Sequence, residues 1–246
     1  MLSEQRQAMI LQYLEERRSV TVAELTEFLG ISESTARRDI TVLDKAGKLV
    51  KVFGGAVALE SHYLAQEPTV AQKSEENQEE KQRIARYAAS LVGPEDFVYL
   101  DAGTTTGYML DFLEEKDAVF VTNAVAHAQR LAAMGCRVLL VGGTLKAATE
   151  AVVGASAARM LRDYHFTKGF FGTNGVSREA GFTTPDVNEA LVKRTALEQC
   201  RRAYVLADHT KFQVVSAVTF ASLEAALVLT DNSQEGFEEA DVTVCQ

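Results

Sequence analysis

The chain has 246 residues, 47% hydrophobic and 24% charged, with a formal net charge of −9, which fits a soluble globular protein of two unequal domains. No run of eighteen apolar residues occurs, and Glu4 and Arg6 interrupt the start, which argues against a membrane span or a signal peptide. Cys136, Cys200 and Cys245 lack CxxC spacing and the four histidines lack metal-ligand spacing, so no disulfide framework, metal or cofactor is expected and the chain reads as cytoplasmic.

Residues 1–59 hold eight Lys/Arg and eight acids, so the whole −9 falls on the remainder. An acidic body repels nucleic acid, which confines any DNA contact to the N-terminal segment. Ser3 opens a first helix to about Arg17, with Met9, Ile10, Tyr13 and Leu14 on one apolar face. After a short break at Arg18–Ser19–Val20, Thr21 stands three residues before Glu24. That capping-box spacing starts a second helix through Leu29, which Gly30 ends.

A third helix begins at Ser32 and stops at Gly47, with Ala36, Ile40 and Leu43 as its apolar stripe. Its other face carries Ser34, Thr35, Arg37, Arg38, Thr41 and Lys45. With Ser32 and with Lys51 from the following hairpin, these are the candidate DNA contacts, each able to donate to a phosphate or base edge. From Ser34 to Lys51 five Lys/Arg stand against two acids, Asp39 and Asp44. Leu49–Val52 and Ala56–Leu59 read as two short strands joined at Phe53–Gly54–Gly55, completing a winged helix-turn-helix.

Residues 3–57, with STARRDITVLDKAGKLVKVFGGAV, closely resemble the DNA-binding domain of the DeoR-type bacterial sugar-catabolism regulators. Arg37, Arg38 and Asp39, together with the FGGA stretch at Phe53–Ala56, carry that resemblance. It places a DNA-binding domain over 1–59, a linker over 60–76 and an effector domain over 77–246. The linker contains Pro68 and leads, through the acidic Glu75, Glu76, Glu79 and Glu80, into a helix with Ile84, Tyr87, Ala88 and Leu91 on its apolar face.

From Phe97 onward, apolar runs alternate with helical patterns. Phe97–Leu100, Ala118–Val121, Arg137–Val141, Gly169–Gly172, Ala203–Ala207 and Ala226–Leu229 read as strands; Thr105–Leu113, Ala124–Met134, Ala155–Tyr164 and Asp186–Cys200 read as helices. The expected fold is α/β, a doubly wound, mostly parallel sheet covered on both faces. Ligands of such sheets bind beyond the carboxyl ends of the strands. Those ends carry Asp101–Gly107 (DAGTTTG), Thr122–Asn123, Gly142–Gly143–Thr144, Thr173–Asn174–Gly175 and Asp208 with Lys211. In the first loop Gly103 permits a tight turn, and Thr104, Thr105 and Thr106 present hydroxyls and amides at a helix start, the chemistry a phosphate needs. Glu189 and Lys193 share a helix face at i,i+4; they read either as a surface ion pair or, with Asp186, as contacts to a sugar and its phosphate.

DAGTTT, Thr122–Asn123, Gly142–Gly143, TTPDVNEALVKR from Thr183 to Arg194 and ADHTKF from Ala207 to Phe212 resemble the DeoR-type effector domain. That domain is similar to sugar-phosphate isomerases such as ribose-5-phosphate isomerase. The resemblance implies a sensor of phosphorylated sugars, with Asp101, Gly103, Thr104, Thr105 and Thr106 as the phosphate loop and Glu189, Lys193, Asp208 and Lys211 as further contacts. His209 departs from the serine expected in that last loop. FVYLDAGTTT and TTPDVNEA look like the fructose-operon repressors of the family, which makes fructose 1-phosphate a candidate effector.

The resulting expectation is a repressor of a sugar-utilisation operon, binding double-stranded operator DNA as a homo-oligomer, a dimer or tetramer, because one small reading helix seldom supplies specific affinity. No catalytic residue is assigned. Two alternatives stay open: an activator, and an isomerase-like enzyme with an appended DNA-binding domain, for which Asp101, Glu189 and Lys193 are the acid–base candidates.

Overall fold

A computed structural model describes residues 3–17, 19–46, 48–52, 55–58, 70–237 and 241–245. Gly47, Phe53, Gly54, Leu59 and Pro68, on which parts of the helix stop, the hairpin turn and the linker rest, lie outside the described residues. The chain divides into two compact units, 1–67 and 68–246. Among the described residues no helix is long and apolar enough to cross a membrane.

The first unit contains α1 (Ser3–Arg17), β1 (Ser19–Thr21), α2 (Val22–Leu29), α3 (Glu33–Lys45), β2 (Leu49–Val52) and β3 (Gly55–Ala58). Thr21 Oγ1 accepts from the Glu24 amide at 3.1 Å, and the Glu24 carboxylate accepts from the Thr21 amide at 2.7 Å, so the capping box closes α2 as its spacing predicts. Gly30 ends it at φ 62°, a conformation that favours glycine. Ile10, Leu14, Leu25, Leu29, Ala36, Ile40, Leu43 and Leu49 form one core, with Met9 and Tyr13 half-buried against it.

The sequence reading missed β1, taking it for a break. It pairs antiparallel with β3, giving a three-stranded sheet in the order β1-β3-β2. The two strands approach so closely that a Cβ on Gly55 would lie 2.0 Å from the Val20 carbonyl oxygen.

The second unit begins with α4 (Val70–Glu75) and α5 (Gln78–Ser90). Residues 70–76 are therefore not simply linker: the Val70 amide donates to Ala148 O, and the Tyr108 hydroxyl to Ser74 O. On α5 the buried face is Ile84, Ala85, Ala88 and Ala89, while Tyr87, expected among them, is 38% exposed.

There follow β4 (Phe97–Leu100), α6 (Thr104–Tyr108), β5 (Val119–Thr122), α7 (Val125–Ala133), β6 (Arg137–Leu140), β7 (Thr144–Lys146), β8 (Ala151–Val153) and α8 (Ala155–Leu161). The remaining elements are β9 (Lys168–Gly172), β10 (Gly175–Ser177), β11 (Gly181–Thr184), α9 (Val187–Glu198), β12 (Ala203–Leu206), β13 (Val218–Ala221), β14 (Leu227–Thr230) and β15 (Val242–Val244). The helix expected over 105–113 is shorter, passing into a 3₁₀ turn at Met109–Asp111.

Seven strands form one sheet in the order β15-β14-β12-β9-β4-β5-β6, each neighbouring pair parallel. Because side chains alternate along a strand, it buries both faces. Tyr99, Val121, Phe171, Val205 and Val228 pack with Leu161 of α8 and Val192 and Ala196 of α9. Val98, Leu100, Phe120, Phe170 and Leu229 pack with Ile84 and Ala88 of α5 and Leu131 of α7. The chain runs from β4 outward through β5 to β6, then returns to β9 on the other side of β4. The order therefore reverses between β4 and β9. Two smaller sheets escaped the sequence reading: the β7–β8 hairpin and the antiparallel β10-β11-β13.

Candidate functional sites

In the first unit, Ser32 caps α3, its hydroxyl accepting from the Thr35 amide at 3.3 Å and lying 2.9 Å from the hydroxyls of Ser34 and Thr35. Ala36, Asp39, Ile40 and Leu43 are buried, which turns Ser34, Arg37, Arg38 and Lys45 outward. Thr35 and Thr41 are only partly exposed, a correction to the expected outer face. The Thr41 hydroxyl donates to Arg37 O at 2.8 Å and accepts from Lys51 Nζ at 3.0 Å. Asp44 accepts from the Lys51 amide at 2.9 Å, so β2 is tied to α3 at two points.

Neither acid of this stretch opposes the basic face. Asp44 serves that amide, and Asp39, buried, receives the guanidinium of Arg6 from α1, the Arg6 Nη2 donating at 3.0 Å. Glu33 reaches Arg37 at 3.2 Å, but both side chains are exposed and such a pair is worth well under ~1 kcal/mol. Val42, 46% exposed between Arg38 and Lys45, went unnoticed in the sequence because an apolar residue there reads as core.

In the second unit the informative residues gather at the carboxyl edge of the large sheet. Asp101 follows β4 and Gly172 ends β9, the two strands between which the order reverses. The Asp101 carboxylate accepts from the Gly172 amide at 3.0 Å and is paired with Lys193 Nζ, which also donates to Gly172 O at 2.9 Å. The two side chains are 2% and 8% exposed. Thr106 Oγ1 donates to Asp101 O at 2.7 Å and accepts from the Gly103 amide at 3.0 Å, which shapes the loop. Thr105 is buried and Thr104 partly exposed at the start of α6, where first-turn amides have no carbonyl partner within the helix.

Thr122 and Asn123 act as braces. Thr122 Oγ1 accepts from the Ala124 amide at 3.1 Å. Asn123 accepts from the Tyr99 hydroxyl at 3.0 Å and the Ala102 amide at 3.1 Å, and donates to Val152 O at 3.1 Å, joining the ends of β4, β5 and β8. Glu189 and Lys193 do not pair with each other. Glu189 accepts from Thr149 at 2.6 Å and Lys146 at 3.2 Å, with Thr184 at 3.4 Å. Asp186 caps α9 through the amides of Asn188 and Glu189 at 2.8 and 2.9 Å. Burial opposes its ionisation, but those bonds and Lys146 hold its carboxyl below the usual value.

Asp208, at the end of β12, accepts from Asn77 at 3.2 Å and stands 3.9 Å from Lys211 Nζ. β12 is separated from β4 by β9, so this pair lies apart from Asp101 along the edge. His209, in place of the expected serine, points its Nδ1 to Asp231 at 2.9 Å. Gly142 and Gly143 are exposed after the edge strand β6 and are not among the residues lining the cleft beside the Asp101 loop.

A shallow open cleft, about 260 Å³ counting the solvent at its mouth, lies beside the loop, lined by Val70, Ala102, Gly103, Ala124, Ala126, His127, Thr149 and Glu150. Thr149 links its wall to Glu189. His127 was missed, having no metal-ligand spacing to mark it. Its ring is buried, and a Cβ on Gly107 would lie 2.8 Å from its Nε2. Burial pushes the imidazole down to about 4, Asp101 opposing that shift and Arg130 adding to it.

Two family models match the chain: a DeoR-like helix-turn-helix domain over residues 6–62 and a DeoR C terminal sensor domain over residues 76–232. The chain is 43% identical to the "Uncharacterized HTH-type transcriptional regulator FruR" of Bacillus subtilis (strain 168), over 96% of this chain and 93% of that one. It is 33% identical to the HTH-type transcriptional repressor GlcR of the same organism, over 94% and 89%. Among solved structures, ribose 5 phosphate isomerase A from Neisseria gonorrhoeae aligns with a TM-score of 0.41 and 14% identity, over 56% of this chain and 54% of that one. On the two matched domains and these relatives, the chain belongs to the DeoR family of helix-turn-helix transcriptional regulators.

Proposed function

We propose that this chain is a cytoplasmic, homo-oligomeric repressor of a sugar-utilisation operon, released from its operator by a phosphorylated sugar. In this reading residues 1–59 bind DNA, the linker shortens to 60–69, and the body from Val70 onward senses the sugar. Arg37, Arg38 and Lys45 meet the duplex, Lys51 and Thr41 hold the wing against the reading helix, and Ser32, Ser34 and Thr35 set its start. The effector's phosphate rests on the Asp101–Thr106 loop, with its sugar along the cleft toward Thr149 and Glu189.

One observation carries the sensing half: the buried Asp101–Lys193 pair stands where the sheet order reverses, the place at which open α/β sheets bind ligands. The groups an isomerase would need are already committed, Lys193 to Asp101 and Glu189 to Thr149 and Lys146, so no catalytic step is assigned. Ligand-linked stabilisation tests the sensor, because a molecule that binds only the folded chain raises its melting temperature. Fructose 1-phosphate is the first candidate in a panel with fructose 6-phosphate, glucose 6-phosphate and ribose 5-phosphate. A panel that leaves the melting curve unmoved, while DNA from the chain's own upstream region shifts it, refutes the sensor. Isomerisation of any of these sugars that disappears in Lys193→Ala would make the protein an enzyme instead.

A further inference from the structure

His127 is a buried polar residue that neither the reading helix nor the Asp101–Lys193 pair requires. It sits on α7, just past the carboxyl end of β5, and its ring lines the cleft together with Ala102, Gly103 and Thr149. Its Nδ1 is enclosed and has no hydrogen-bond partner; among the described residues only one other enclosed side-chain atom, Thr230 Oγ1, is in that position. Buried polar groups are almost always bonded, so an orphaned nitrogen in the wall of a cleft marks a bond that something outside the protein completes.

The packing supports this. Nε2 lies against Gly107, on the helix that begins at the Gly103 loop, and the absence of a side chain there is what lets the ring in. A histidine that only filled space would be replaced without loss by an apolar residue of similar size; this ring also has a backbone hydrogen bond with Asp101, and its Nδ1 is left without a partner. The charged groups around it are Asp101, Arg130 and, on the cleft wall, Glu150. A neutral ring among them offers one N–H without adding a charge, which suits an uncharged hydroxyl and a phosphate oxygen alike.

We infer that His127 is a ligand-contacting residue of the cleft, donating from Nδ1 to an oxygen of a bound phosphorylated sugar and thereby selecting among such ligands. The inference rests on the reading of the cleft as the effector site. The bond forms when the ligand closes over the ring or the ring turns about its Cβ–Cγ bond toward it.

Calorimetric titration of the full-length protein tests it, with fructose 1-phosphate, fructose 6-phosphate, glucose 6-phosphate, ribose 5-phosphate and inorganic phosphate as probes. For the probe bound most tightly, His127→Leu is expected to weaken binding by about tenfold or more, since the bond is lost. His127→Asn, which keeps a nitrogen near the Nδ1 position, should stay within roughly threefold of the parent. An equal loss for inorganic phosphate places the contact on the phosphate; a loss confined to the sugar phosphates places it on a hydroxyl.

A parent chain that binds none of the probes overturns the reading of the cleft and this inference with it. Binding in the parent that His127→Leu retains within about twofold overturns the inference alone. Should the variants fail to fold, ¹⁵N-histidine spectra of the parent decide: saturation with the tightest probe shifts the His127 Nδ1 resonance, and an unmoved resonance refutes the contact.

Discussion

Asp101 and Lys193, 92 residues apart in the chain, meet as a buried ion pair, and each takes a second bond from the backbone of Gly172. A buried pair with its other bonds satisfied is tolerated, whereas one charge left alone is not. Lys193→Met and Asp101→Asn should each lower unfolding free energy by about 3–5 kcal/mol in urea titrations. The double variant should lose less than the sum, because the stranded charge disappears with its partner. Single losses under about 1 kcal/mol would show that the pair does not hold this edge together.

Arg38 is exposed on α3 and makes no ion pair among the described residues, so its replacement should leave the fold intact. Arg38→Ala is expected to change stability by less than about 0.5 kcal/mol yet weaken operator binding by roughly 1–3 kcal/mol if it meets a base edge. Fluorescence anisotropy at several salt concentrations separates the cases. A contact to phosphate instead lowers the salt slope by about one. Unchanged affinity at every salt concentration would move the reading face elsewhere.

Asp39 belongs to the same helix but to its inner face, where it receives Arg6 of α1. Asp39→Ala should lower the melting temperature of the full chain by several degrees and weaken DNA binding through the fold rather than through contact. A variant that melts like the parent but no longer binds DNA would contradict this assignment.

Thr105 is buried, so a carboxylate there would test folding more than binding; Thr104, partly exposed one residue earlier, is the better position. Thr104→Asp sets a negative charge against the proposed phosphate. Its DNA binding should match the parent's, and the effector should no longer release it, as read by gel shift with and without the sugar phosphate. Normal release would take the loop out of the site.

The His127 imidazole sits at about 4 in the folded chain against its ordinary value of 6.5. Below pH 6.5 the unfolded chain takes up a proton that the folded chain refuses. Stability is therefore full above that pH and falls as the pH drops toward about 4, by on the order of 3 kcal/mol. His127→Asn should flatten that part of the curve in thermal melts between pH 7.5 and pH 4. The same slope in both proteins would assign the acid sensitivity to other groups.

What the sequence shows well is what local chemistry determines. Thr21, Gly30 and Ser32 announce their helix ends through neighbours no more than four residues away, and the loops after β4, β5 and β9 follow apolar runs that read plainly as strands. Pairings that join distant residues leave no such trace. β11 meets β13 through Phe182 and Ala221, and β7 and β8 are three residues each, too short for an alternating pattern to mark them. Asp39 looks like an acid diluting a basic face until Arg6, 33 residues earlier, is seen to hold it inside. Glu189 and Lys193 have the spacing of a surface pair, and tertiary packing gives each a different partner. His127 is visible only through Gly107 and the cleft, neither of which its own neighbours reveal.

The separation of Asp101, Gly172 and Lys193 along the chain also sets an order of events during synthesis. The core of the first unit is assembled from residues between Ile10 and Ala56, whereas the sheet edge lacks its lysine until residue 193 has been made. Chains grow and fold from the N-terminus, so the helix-turn-helix unit leaves the ribosome complete while the second unit is still being translated. In a newly made molecule the helix-turn-helix core can close before the residues that complete the second unit's sheet edge exist.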